Sequence, residues 1–247
     1  MKANYDPLSF FKYLGYYPSD YTPTCKGLRS LSIYVRGRAE QMAKILEPTP
    51  FELADDRFVI SIADFSNQSH FSFYDAAVQF PVRFGDAVGS TYLFEYEDDQ
   101  ETVASGREKW GYPKKFAHIE LADDERGARG RAFLRDETLM SLEIEFDDAV
   151  SRAPWADFRS YPHLQARAVS EIYGPGFSAF DIISRDTSKA FELISRRSGR
   201  AKVQLSSTLN VGGLTPDIVE ILGADYVVGN WASTRENGEA KVIGSLI

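Results

Sequence analysis

An alternation of apolar and polar residues with period two recurs along this chain and leaves few architectures open to it. In 29–36, Leu31, Ile33 and Val35 alternate with Ser30, Ser32 and Tyr34. In 91–97, Tyr92, Phe94 and Tyr96 face away from Leu93, Glu95 and Glu97, and Leu142, Ile144 and Phe146 repeat the pattern. Period two is the spacing of a strand with one face buried. Segments 127–134 and 139–146 read as a hairpin through Arg135-Asp136-Glu137, and 166–172 and 177–183 flank the strong turn Tyr173-Gly174-Pro175-Gly176. Further strands are expected at 58–65, 71–84 and 202–209. Helical spacing is confined to 38–46, which stops before Pro48, and to 215–222, where Pro216 sits in the first turn. The acidic stretch 97–101 reads as a solvated turn. Segment 188–197 fits either period. Many short strands, few helices and no repeat or linker predict one domain over 1–247, a β-rich α+β fold. Its large antiparallel sheet should curl toward a barrel or cone, preceded by an aromatic, turn-rich arm at 1–28.

Composition excludes several function classes. Apolar residues make up 43% of the chain, and 17 Phe, 13 Tyr and three Trp can fill a sizeable core. A net charge of −8 argues against a nucleic-acid or anionic-membrane partner, each of which needs a basic face. No apolar run approaches the roughly 18 residues of a membrane span, and the N-terminus lacks the build of a signal peptide, so a soluble, cytoplasmic protein is expected. The single cysteine, Cys25, allows no internal disulfide. His70, His118 and His163 have no metal spacing, and the glycine pairs match no phosphate loop, so no metal and no cofactor are expected.

The run Gly106-Arg107-Glu108-Lys109-Trp110-Gly111-Tyr112-Pro113-Lys114-Lys115 carries the chemistry. An ammonium beside a second ammonium, near rings that exclude water, is pushed toward the neutral amine by repulsion and desolvation. A neutral lysine attacks carbonyls and forms a Schiff base, whose iminium accepts electrons from a breaking bond. The bland alternative is a solvated lysine pair in a turn. Gly-Arg-Glu followed three residues later by Gly-Tyr-Pro-Lys-Lys resembles the active-site segment of the acetoacetate decarboxylase family. Weaker likeness runs through Ile33 to Arg36, Pro50-Phe51-Glu52-Leu53, Phe73-Tyr74-Asp75, Phe80-Pro81-Val82, Tyr161-Pro162 and 199–205.

That resemblance implies Lys114 as the Schiff-base nucleophile, Lys115 as the neighbour that lowers its pKa, and a pocket enclosed by the curled sheet. It also tips 188–197 to strand. Family pockets hold two glutamates and an arginine. One glutamate falls on Asp75, the other at or beside Ser61, and the arginine near Leu28 or Arg29, a conditional carboxylate clamp. Glu95 is the candidate replacement acid. Glu108 is expected to brace the lysine loop, pairing with Arg107 or Lys115, and Trp110 and Tyr112 to wall the pocket. The implied activity is a lyase acting on small oxo acids. The loss at Ser61 favours aldolase–dehydratase chemistry on pyruvate-like 2-oxo acids over decarboxylation of acetoacetate. A small-ligand-binding barrel with a vestigial lysine pair is the non-enzymatic alternative. Family members assemble as homo-oligomers, so a tetramer or larger assembly is expected.

Overall fold

Alternating strands of this kind hold together only by pairing with one another. In the computed structural model, which describes residues 22–234 and 238–247, they pair into one continuous sheet. In chain order the elements are β1 (Thr24–Arg36), α1 (Ala39–Leu46), β2 (Glu52–Leu53), β3 (Arg57–Asp64), β4 (Tyr74–Phe84), β5 (Ala87–Glu97), α2 (Gln100–Trp110) and β6 (Lys114–Phe116). There follow β7 (His118–Asp123), β8 (Gly127–Leu134), β9 (Glu137–Phe146), β10 (His163–Ser170), β11 (Phe177–Arg185), β12 (Glu192–Leu205), β13 (Glu220–Ala232) and β14 (Lys241–Ser245). The spatial order is β14-β11-β10-β5-β4-β3-β1-β13-β12-β9-β8-β7, with β2 beside β4 and β6 beside β5.

The expected mainly-β architecture is present, with two departures. The strand path has two ends, β14 and β7, so the sheet curls without closing into a barrel. It is also not wholly antiparallel, because β5 pairs in parallel with both β6 and β10.

Pleating divides the central strands into two faces. Leu31 and Ile33 of β1, Ile60 and Ile62 of β3, Ala76 and Val78 of β4, and Phe94 and Tyr96 of β5 are buried on one side. The curl brings Ile119, Leu121, Ala132, Met140 and Leu142 of β7 to β9 into the same apolar cluster. Each Leu, Ile, Val, Phe or Met side chain fully buried there contributes roughly 1.5–3 kcal/mol. The opposite face carries the register row Ser61–Ala77–Glu95–Lys114 and, beside it, Ala63–Asp75–Glu97. Packing occupies one face of these strands and polar chemistry the other.

Three local expectations are corrected. The stretch 97–101 is not a solvated turn: Glu97 ends β5, and the chain then enters α2. Asp99 caps that helix by accepting a hydrogen bond from the Thr102 N–H at 2.8 Å. Residues 215–222 form no helix; Glu220 and Ile221 pair with Arg36 and Val35 of β1, so sheet pairing overrides the local proline cue. Within 188–197, strand begins at Glu192. Residues 1–21 of the expected arm lie outside the described residues, and 24–28 belong to β1.

Candidate active site

Lys114 reaches the polar face because a short parallel strand follows a helix with a glycine stop. α2 ends at Gly111, whose φ of 75° is left-handed and suits glycine. The chain then turns through Tyr112 and Pro113 into β6, which lays Lys114 beside Glu95 of β5. Gly106 of α2 makes room for the lysine stem, since a Cβ there would lie 2.5 Å from Lys114 Cδ and Cε. The ammonium bonds Glu97 Oε1 directly and stands 3.4 Å from Glu95 Oε1. Asp75 of β4 lies across from Glu97, and one oxygen from each of the three carboxylates falls within 4.8 Å of the others. The side chains of Lys114, Glu95 and Glu97 are only 12%, 4% and 1% exposed, so these charges meet almost without water.

Burial and mutual repulsion set the protonation of this cluster. Burial first, then the charge of Glu97, pushes the Asp75 carboxyl up to about 7 against the pull of Lys114. Burial likewise carries Glu95 well above the carboxylate range, opposed by Lys114 and reinforced by Asp75 and Glu97. For Lys114, burial favours the neutral amine, but Glu95, Glu97 and Asp75 together outweigh it and hold the ammonium above the ordinary lysine range. The three carboxylates offer oxygens that suit a hard cation. Here the lysine supplies the positive charge among them.

The remaining walls are aromatic and basic. The Lys114 ammonium lies 5.5 Å from the Tyr112 ring centroid. The Tyr112 hydroxyl is 3.0 Å from His163 Nδ1 and accepts from Arg185 at 3.4 Å. Arg185 stacks on Trp110 with its Cζ 4.1 Å from the ring centroid. Tyr161 stacks on His163 at 4.3 Å between centroids. Burial foremost, and then Arg185 and Lys114, drive His163 down to about 3, so the imidazole is neutral. These groups enclose a cavity of about 130 Å³, sized for a small molecule. A larger groove of about 580 Å³ on the strands β7, β8, β9 and β12 is lined by exposed residues such as Glu120, Arg131 and Lys202 and carries no such cluster.

Residues 14–232 match the family model for acetoacetate decarboxylase. The chain belongs to the acetoacetate decarboxylase family. Over 96 residues it is 36% identical to "Acetoacetate decarboxylase 1" of Bradyrhizobium diazoefficiens, covering 37% of this chain and 38% of that protein. Over 131 residues it is 32% identical to the acetoacetate decarboxylase of Burkholderia vietnamiensis, covering 49% of this chain and 53% of that one. The aligned stretches thus span about a third to a half of these relatives. A solved acetoacetate decarboxylase superposes with a TM-score of 0.77 at 17% identity, covering 92% of this chain and 91% of its own. The enduracididine biosynthesis enzyme MppR, solved with pyruvate, superposes with a TM-score of 0.67 at 12% identity, over 92% and 91% of the two chains. At such identities the superpositions speak to the fold.

Against the acetoacetate decarboxylase pattern, the structure gathers some expected residues and separates others. Lys114, Asp75, Glu95, Trp110 and Tyr112 all line one cavity. Lys115 does not join them. Its neighbour Lys114 faces inward, so strand alternation turns Lys115 to the exposed side, and the cluster around Lys114 is anionic. Glu108 is exposed on α2 and braces neither Arg107 nor Lys115; Arg107 instead donates to the Lys114 carbonyl at 3.0 Å. Arg29 lies on the other face of the sheet. It donates to Asp64 at 3.0 Å and to Asp123 at 2.6 Å, tying β1 and β3 to β7. Arg185, Glu97 and His163 also line the cavity, and none of the three is among the site residues expected from the sequence. Ser61 sits in the register row that contains Glu95, two strands away.

Proposed function

We propose that this protein is a Schiff-base-forming lyase of small oxo acids with Lys114 as its nucleophile. Its leading chemistry is of the aldolase–dehydratase type on pyruvate-like 2-oxo acids. One observation carries the reading: a buried lysine bonded to a carboxylate, in a cavity where two more carboxyls are pushed toward their acid forms.

The ammonium must lose a proton before it can attack, and Glu97 is in direct contact to take it. The neutral amine then adds to the carbonyl carbon. Asp75 or Glu95, as the carboxylic acid, protonates the carbinolamine oxygen, which leaves as water and yields the iminium. A carboxylate next removes a proton from the adjacent carbon to form the enamine. The enamine then adds to an aldehyde or expels a β-hydroxyl protonated by the second acid. Three carboxyls around one amine supply the acid and the base that this sequence needs. The Oε2 atoms of Glu95 and Glu97 are buried without a hydrogen-bond partner, which suits groups that exchange protons with a bound molecule.

Decarboxylation of acetoacetate is the second reading, favoured by the names of the curated relatives. It uses the same iminium, with carbon dioxide leaving in place of the proton. The pyruvate complex of the structurally similar MppR supports the first. Borohydride reduction after incubation with pyruvate or acetoacetate, followed by peptide mass mapping, should show mass added at Lys114. Carbon dioxide release measured against pyruvate–aldehyde condensation then separates the two reactions. If neither oxo acid leaves an adduct, the lyase reading fails and a small-ligand-binding protein takes its place.

A further inference from the structure

Two unmet demands lie on the cavity wall. Arg185 is half-buried, and every hydrogen-bond partner it has among the described residues is neutral. It donates to the Gly238 carbonyl at 3.0 Å, to Ser233 Oγ at 3.0 Å and to the Tyr112 hydroxyl at 3.4 Å. A guanidinium has five N–H donors, so two remain unengaged, and its charge meets no carboxylate there. By contrast Arg29, Arg57, Arg152 and Arg167 each pair with at least one aspartate.

The second demand is on His163, which is 4% exposed and whose Nε2 has no partner. Arg185 donates to the Tyr112 oxygen, which leaves the phenol proton available to His163 Nδ1. The imidazole proton then sits on Nε2, a buried donor awaiting an acceptor. Trp110 under the guanidinium and Tyr161 against the imidazole hold both groups in fixed planes.

We propose that Arg185, with His163 Nε2–H beside it, forms the subsite for the substrate's carboxylate, and that the protein therefore selects oxo acids over neutral ketones and aldehydes. This rests on the Schiff-base reading and adds the group that anchors the substrate's carboxylate. The cavity is then polarised, with an anion site at Arg185 and the carbonyl site at Lys114, and Tyr112 touches both. A planar fork suits a carboxylate better than a point charge does, so Arg185→Lys should restore only part of what Arg185→Met removes.

A hydroxy acid tests this without the imine, because lactate and 3-hydroxybutyrate carry the carboxylate but no reactive carbonyl. Calorimetric titration should show binding of one or both to the parent and none of propane-1,2-diol. Affinity should fall about 10- to 100-fold in Arg185→Met, the loss expected for a charged hydrogen bond, and by less in Arg185→Lys. Absence of hydroxy-acid binding in the parent, equal binding of the neutral diol, or unchanged affinity in Arg185→Met would each overturn the subsite. Intact hydroxy-acid binding with no borohydride adduct at Lys114 would instead sink the lyase reading alone.

Discussion

Gly106 leaves the space through which the Lys114 side chain passes to reach Glu97. A Cβ at position 106 would stand 2.5 Å from Cδ and Cε of the lysine. Those atoms belong to a flexible stem, so the clash is relieved by moving the lysine and not the backbone. Alanine is also the better helix former by roughly 0.5–1 kcal/mol. Gly106→Ala should therefore leave thermal stability within about 1 kcal/mol of the parent. Borohydride trapping at Lys114 should nonetheless fall by about tenfold or more, as expected when a reacting atom is displaced by an ångström. Parent-like trapping would show that the stem does not need this gap.

Glu97→Gln removes the carboxylate in contact with the ammonium. An opposite charge at that range shifts a pKa by about 1–3 units, so the pH midpoint for Lys114 modification should move down by about that much. Breaking a buried ion pair ordinarily costs about 3–5 kcal/mol. Here the loss should be smaller, because Glu95 stays 3.4 Å from Nζ and two carboxyls remain for one ammonium. An upward shift of the midpoint would refute the assigned role of Glu97.

Asp75 titrates near 7 in the folded chain against 3.8 ordinarily. Between those values the folded state binds a proton that the unfolded state has released, so stability falls as pH rises through this window. The contribution is fully present below about 4 and gone above about 7. Asp75→Asn keeps the shape without the titration. Its melting temperature should drop less than the parent's between about pH 5 and pH 8. Parallel melting curves across that range would place the proton elsewhere.

Lys115→Gln tests whether the second lysine acts on the first. From the exposed side of β6 its charge is screened by solvent. The rate of Lys114 trapping should stay within about twofold of the parent and its pH midpoint within about 0.3 unit, the scale of an exposed charge pair. A higher midpoint in the variant would restore Lys115 as the group that lowers the lysine's pKa.

The strands, the hairpin of β8 and β9, and the lysine run were legible in the sequence because each is a local pattern. Alternation places Leu93, Glu95 and Glu97 on one face. The acidic composition of 97–101 suggests a solvated turn instead, and for Glu97 period two is the better guide. α2 has no apolar stripe; it buries Thr102, Ser105 and Gly106, and only the Asp99 cap and Gly111 mark its ends. Arg185 and His163 could not be found by spacing from Lys114. They arrive on β11 and β10 through the parallel contact of β10 with β5, a long-range pairing with no local trace. Arg29 was placed by likeness to the family, and only the register, which puts it opposite Asp64 on the packed face, shows that it serves the architecture.

In the central strands, one set of alternate positions supports the apolar interior and the other set holds the reactive groups. Exchanges on the reactive side therefore leave no void among Ile60, Ile62 and Val78. A scaffold arranged in this way can alter its reactive groups along one register row while the apolar packing on the other face stays as it was.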